Sequence, residues 1–159
     1  MRTNRRSRTY LFAIPAFTLL VAISGSLVTG SGMEWYRTLS LPWFTPPGSV
    51  IGSVWTVIFI LSAIAAIEWW SRKERDARFC LVAALFTVNA LLNVGWSVTF
   101  FGLHQLAAGV WIAALLALST WLLVGLMWKR VAVSSALLLP YAAWSTFATY
   151  LTYSVMRLQ

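Results

Sequence analysis

The sequence predicts an all-α integral membrane protein, one domain over residues 1–159 built as a bundle of five transmembrane helices. Three observations carry that expectation. Of the 159 residues, 60% are hydrophobic and only 10% charged. The charged side chains gather between long uncharged stretches and stay out of them, as they do in membrane proteins. Each stretch, or each half of the longest, supplies the roughly 20 residues a helix needs to cross a hydrocarbon core about 30 Å thick. The formal net charge of +8 would otherwise suggest a polyanionic partner. Because the basic residues sit at the ends of apolar runs, no nucleic-acid partner is expected. Cys80 is the one cysteine, which excludes an intramolecular disulfide and a Cys-rich metal site.

The first span covers about residues 10–29. Arg2, Arg5, Arg6 and Arg8 precede it, and such a start also suits a signal peptide. The apolar stretch exceeds a usual signal core and no Ala-x-Ala site follows, so a retained span is expected. Residues 30–46 form the longest connection. The second span runs over about 47–70, since the prolines of Leu41 to Gly48 do not belong inside a helix and Pro47 suits a first turn. The uncharged run from Phe79 to Trp128 has 50 residues, about 75 Å as one helix, and must fold back. Its polar break is Gly102-Leu103-His104-Gln105, which places spans at about 79–101 and 106–128. The last span covers about 131–156. Pro15 and Pro140 predict kinks.

Ten of the twelve Lys and Arg residues fall in the N-terminus, the 71–78 loop and the Lys129-Arg130 turn. The positive-inside rule then puts the N-terminus in the cytoplasm, and the C-terminus and residues 30–46 outside. Trp69, Trp70 and Trp128 mark the cytoplasmic ends of spans, where an aromatic belt is expected.

Other Trp residues lie deeper. At 1.5 Å per residue, Trp55 and Asn93 each stand about 12 Å in from the outer ends of their spans, and Trp144 about 18 Å in from Met156. Asn89, Asn93, Trp96 and Phe100 share one helix face, as do Tyr141, Trp144, Ala148 and Leu151. Two readings stay open from spacing alone. These faces line a cavity for a flat, largely apolar molecule, or they knit helices together by packing and interhelical hydrogen bonds. Residues 30–46, with Met33-Glu34-Trp35-Tyr36-Arg37 and Leu39, either rest on the headgroups or close the mouth of the bundle as a lid.

No span holds an Asp, Lys or Arg in its interior, and Glu68 lies one turn from a span end. Proton relays and ion-coupled transport leave ionisable groups at depth, so an ion pump is not expected. Five spans also do not divide into two equal inverted repeats. His104 is the single histidine, able to ligate a haem iron or simply to cap the turn. No metal-ligand cluster or Ser-His-Asp set exists, and no metal is expected. Gly48-x-x-x-Gly52 permits close helix approach, as do the small residues Ala83, Ala84, Ala90 and Gly95. Leu151, Tyr153 and Arg157 fit a short sterol-contact pattern.

Several blocks together resemble the translocator protein family, the tryptophan-rich sensory proteins once called peripheral benzodiazepine receptors. The first is Trp35-Tyr36, Leu39, Pro42-Trp43, Pro46-Pro47-Gly48 and Val54-Trp55-Thr56. The second is Leu92-Asn93-x-x-Trp96-Ser97-x-x-Phe100-Phe101-Gly102-Leu103-His104, and the third Leu139-Pro140-Tyr141-x-x-Trp144-x-x-Phe147-Ala148-Thr149-Tyr150-Leu151. The resemblance implies five packed helices, a homodimer, and a pocket closed by the first loop that takes porphyrins, isoquinoline-type drugs and, in animal members, cholesterol. It implies ligand contacts at Trp35, Tyr36, Trp55, Phe59, Asn93, Trp96, Phe100, Trp144, Ala148 and Leu151. The chain departs from the family pattern at Ser49 for Trp, Ile51 for Phe, Ser53 for Pro, Phe59 for Tyr, Thr152 for Asn and Met156 for Trp, and the loss of the Tyr hydroxyl and the Asn amide removes polar handles.

The expected function is a receptor or carrier for protoporphyrin IX and haem-type tetrapyrroles, with a stress-signalling or transport role. It needs no cofactor, the porphyrin being the ligand. One alternative is light- and oxygen-dependent porphyrin degradation with Trp55 and Trp144 as catalytic residues. Another is a sterol-binding, structural or regulatory membrane partner. The expected location is a bacterial or archaeal cell membrane.

Overall fold

A computed structural model of the protein describes residues 8–72 and 75–159. Arg2, Arg5, Arg6 and Lys73, which contribute to the charge argument above, lie outside the described residues. Those that are described form helices and connections with no strand. In chain order the helices are α1 (Tyr10–Ser31), α2 (Met33–Tyr36), α3 (Gly48–Trp70), α4 (Ala77–Ser97), α5 (Leu106–Trp128), α6 (Ala132–Leu137) and α7 (Leu139–Arg157). A wider π turn, Val98–Gly102, continues α4.

Four helices are long and apolar enough to cross a membrane: α1, α3, α5, and α4 together with its π turn. The chain is therefore an integral membrane protein. The run expected as a last span is broken at Leu138, between α6 and α7. Pro140 explains the break. It has no N–H for a carbonyl four residues back, so it sits in the first turn of α7, where none is needed. A sharp restart replaces the kink expected there, whereas Pro15 is accommodated inside α1. Tyr141, Ser145, Thr146, Thr149, Thr152 and Ser154 make α7 more polar than the other long helices.

The helices close into a ring. α1 packs on α3 and α4, α4 on α5, α5 most extensively on α7, and α6 returns to α3. Within lipid such packing relies on close approach of small residues and on internal hydrogen bonds. Both are present. Ser135 donates from Oγ to the Val124 carbonyl at 2.6 Å, and Gly109 lets the Phe100 ring lie against its backbone.

Trp69 differs from its expected place in a belt. It is 1% exposed and stacks on Phe79, with ring centroids 6.1 Å apart, inside a core shared with Ala65, Val82, Leu123 and Met127. Trp69 thus faces the interior, while Trp128 stays half exposed. At the same end, Asp76 caps α4 by accepting the Phe79 N–H at 2.9 Å. Its carboxylate also accepts from the Arg130 guanidinium at 3.0 Å. Two inter-helix connections are thereby tied together.

Candidate ligand-binding site

The aromatic and amide residues singled out above fall into two neighbouring groups. The outer group is organised by α2 and the π turn. A π turn widens the helix by one residue per turn and recurs at functional sites. Here the consecutive rings Phe100 and Phe101 are both buried. Trp35 of α2 stacks on His104 at 4.1 Å and meets Phe100 edge-on at 5.6 Å. Tyr36 packs on Phe101 at 5.5 Å, and burial raises its phenol pKa above the ordinary value. Trp96 stacks on Phe100 at 5.5 Å, and Leu151 joins the same cluster. His104 holds a left-handed backbone, φ 58°, that completes the turn into α5.

The connection 30–46 thus seats Trp35 and Tyr36 on the end of the bundle. Its other part behaves differently. Trp43 is 95% exposed, and Phe44 stacks on Tyr150 of α7 at 5.4 Å.

The deeper group is held by hydrogen bonds. Tyr141 Oη donates to Asn89 Oδ1 at 2.8 Å and accepts from Asn93 Nδ2 at 3.3 Å. Asn89 Nδ2 donates to Ser119 Oγ at 2.8 Å and Thr120 Oγ1 at 2.9 Å. This network joins α4, α5 and α7. Around it, Trp55 packs on Tyr141 at 5.9 Å and on Phe59 at 5.7 Å, while Trp144 and Trp55 share a cluster with Ile58 and Leu116. Ala148 is half-buried one turn along α7 from Trp144, and its carbonyl accepts from Thr152 Oγ1 at 2.7 Å.

A cavity of about 420 Å³ adjoins the deeper group, between α1, α3 and α4, with Tyr141 on its wall. Of the residues expected at the ligand, Phe59 and Asn93 line it. Tyr10, Phe17 and Val21 of α1 line it too and were missed in the sequence, although their spacing near i, i+7 and i+11 puts them on one helix face. Asn89 and Tyr141, read only as sharing faces with the expected residues, are the hydrogen-bonding centre.

Chemically, the two groups offer flat ring faces, amides and indole N–H donors. The Nε1 atoms of Trp96 and Trp144 are buried without a hydrogen-bond partner. A buried donor in that state costs free energy and favours a ligand acceptor. Among the described residues no three of His, Cys, Asp and Glu gather as a metal site. The sterol pattern does not make one surface. Leu151 joins the outer cluster, whereas Tyr153 and Arg157 lie on the exterior.

Known proteins match this sequence along nearly the whole chain. The sequence model described as the TspO/MBR family matches residues 13–158. The tryptophan-rich protein TspO of Chlorobaculum tepidum is 35% identical over 88% of this chain and 89% of its own. The protein of that name from Archaeoglobus fulgidus is 32% identical, over 88% of this chain and 90% of its own. The human translocator protein is 29% identical, over 85% of this chain and 80% of its own.

Proposed function

This chain belongs to the TspO/MBR family of membrane proteins, and we propose on that footing that it is a membrane receptor or carrier for porphyrins and related flat hydrophobic ligands. The observation that carries the reading is the convergence of Trp35 and Tyr36 from the connection with Trp96 and Phe100 from the bundle. A tetrapyrrole ring stacks among these faces. Its polar edge meets the free indole donors of Trp96 and Trp144. Ligand entry requires α2 to lift from the π turn, so the connection acts as a lid.

In this reading α7 is the fifth span, with α6 leading into it at the cytoplasmic side. Its polar side chains are tolerated because they turn inward or back-bond. Thr146, Thr149 and Thr152 each return a hydroxyl to the carbonyl four residues before. The N-terminus is cytoplasmic, the C-terminus outside, the host a bacterial or archaeal cell membrane, and the working unit a homodimer.

Protoporphyrin IX titrated into the detergent-solubilised protein is expected to quench Trp emission saturably in the micromolar range, roughly −8 kcal/mol. Trp144→Phe is expected to weaken it. Quenching that never saturates would sink the proposal. Trp55 and Trp144 share one cluster, which also favours photo-oxidative degradation as a second reading. Illuminating the complex separates the two. Bleaching of the porphyrin band that is lost in both Trp55→Phe and Trp144→Phe means chemistry, and unchanged bleaching means passive binding.

A further inference from the structure

The cavity between α1, α3 and α4 has a chemistry of its own. It lies between the first half of α1, from Tyr10 to Val21, and the facing parts of α3 and α4. Near its C-terminus α1 touches its neighbours through glycines. A Cβ on Gly25 would lie 3.4 Å from Ser97 Oγ, and one on Gly102 would lie 3.4 Å from the Val28 side chain. The first half holds no glycine, and Pro15 interrupts the helix ladder there. The space left runs along α3 from Phe59 to Trp70, about 16 Å at 1.5 Å per residue.

Four features of this space specify a ligand. Its lining residues carry no charge, so an ion would be desolvated there without compensation. Phe17, Phe59, Trp70 and Phe86 furnish ring faces on three sides, which favour a flat ring over an alkyl chain. At about 420 Å³ it lies at the low end of the range for drug-sized ligands, suited to two or three fused rings rather than a tetrapyrrole. Finally, Ser62 lines it with a buried Oγ that has no hydrogen-bond partner. Thr18 on the α1 wall and Thr87 on the α4 wall instead donate to the carbonyls of Ile14 and Ala83. A rotation about χ1 turns the Ser62 hydroxyl toward a ligand oxygen.

We propose that this cavity is a second binding site, adjoining the lid site at Phe59 and Asn93 but filled independently of it, for a neutral lipid-soluble ring bearing a carbonyl acceptor, the quinone class, which enters from the bilayer past the first half of α1. The ring stacks between Phe59 and Phe86, and Ser62 donates to its carbonyl. Phe12, Leu19 and Leu20 on the outer face of α1 are exposed to lipid, so the entry wall is wetted by the phase in which such a ligand dissolves. Binding is reversible and involves no electron transfer.

The test is a titration of 2-methyl-1,4-naphthoquinone against the protein in lipid nanodiscs, read by Trp emission, with protoporphyrin IX titrated in parallel. A saturable component is expected above the linear collisional quenching. Ser62→Ala should weaken it about fivefold, the worth of one hydrogen bond. Ala66→Phe, which fills the cavity from α3, should remove it and leave the porphyrin titration unchanged. Ala90→Leu, from the α4 wall, serves the same purpose if Ala66→Phe melts early. Purely linear quenching of the native protein, or a saturable component that survives both filling variants, would overturn the proposal. Loss of both titrations in a variant with native melting would overturn the separateness of the two sites. Failure of porphyrin alone to bind the native protein would overturn the lid reading and leave this one standing.

Discussion

A Cβ at Gly32 would stand 2.2 Å from the Phe101 carbonyl oxygen, a distance at which backbone must move. Gly32 follows α1 directly and leads into α2, so the closeness of that contact sets how tightly Trp35 and Tyr36 seat on the π turn. Gly32→Ala is expected to cost about 1–3 kcal/mol by overpacking, read as a lower melting temperature together with weaker porphyrin quenching. Gly30→Ala is the control, because a Cβ there meets nothing within 4 Å. Among the tryptophans, identical chemistry has different outcomes by neighbour. Trp69 is buried against Phe79, Trp43 projects outward, and Trp96 and Trp144 keep buried donors unpaired. Trp69 also buries an unpaired Nε1, but in the core of Ala65, Val82, Leu123 and Met127, whereas Trp96 and Trp144 lie among the residues expected at the ligand.

At the scale of elements, the N-terminus of α4 is the best-defined junction. Asp76 both caps the helix and pairs with Arg130 of the α5–α6 connection. The Arg130 hydrogen bond, followed by the Phe79 N–H, lowers the Asp76 pKa from 3.8 to about 2. A depressed carboxyl pKa contributes stability that is complete above the unfolded value and lost as pH falls through the folded one. Acidification from pH 5 to pH 2 should therefore lower the melting temperature, and Asp76→Ala should flatten that dependence. In the π turn at the other end of α4, Phe100 and Phe101 are both buried and meet edge-on, with ring centroids 4.9 Å apart. The break at Leu138 lets α6 reach α3 while α7 runs along α5.

The molecule as a whole is a closed ring of helices with the cluster of Trp35, Trp96 and Phe100 at one end and basic connections at the other. Orientation is a property of that whole, and it is tested by a tag at the C-terminus. The proposed topology expects the tag to be reached by an impermeant reagent added outside intact cells, and protection of the tag would refute it. Much of this ring is written in the chain. The limits of α1, α3 and α5 follow from hydrophobic runs bounded by charge, proline or the Gly102–Gln105 break, because hydrocarbon admits backbone only as self-satisfied helix. The faces carrying Asn93, Trp96 and Trp144 follow from the helical period. The grouping of these faces was not legible in the same way. A period states which residues share a face and says nothing about which neighbour it meets. The Asn89–Tyr141 centre, the inward turn of Trp69 and the α1 wall of the cavity all depend on contacts between residues far apart in sequence.

By itself, then, the sequence determined a membrane-embedded, all-helical, tryptophan-rich chain of the TspO/MBR family and the identity of most of its deep aromatic residues. The tertiary structure alone decided that Trp35 and Tyr36 seat on the π turn, that an amide and phenol network separates them from a cavity beside α1, and that the last apolar run is two helices. The physical reason is that burial and span length are local sums over the chain. Close approach at Gly32, pairing at Tyr141 and the space beside α1 are set by how tilted helices meet.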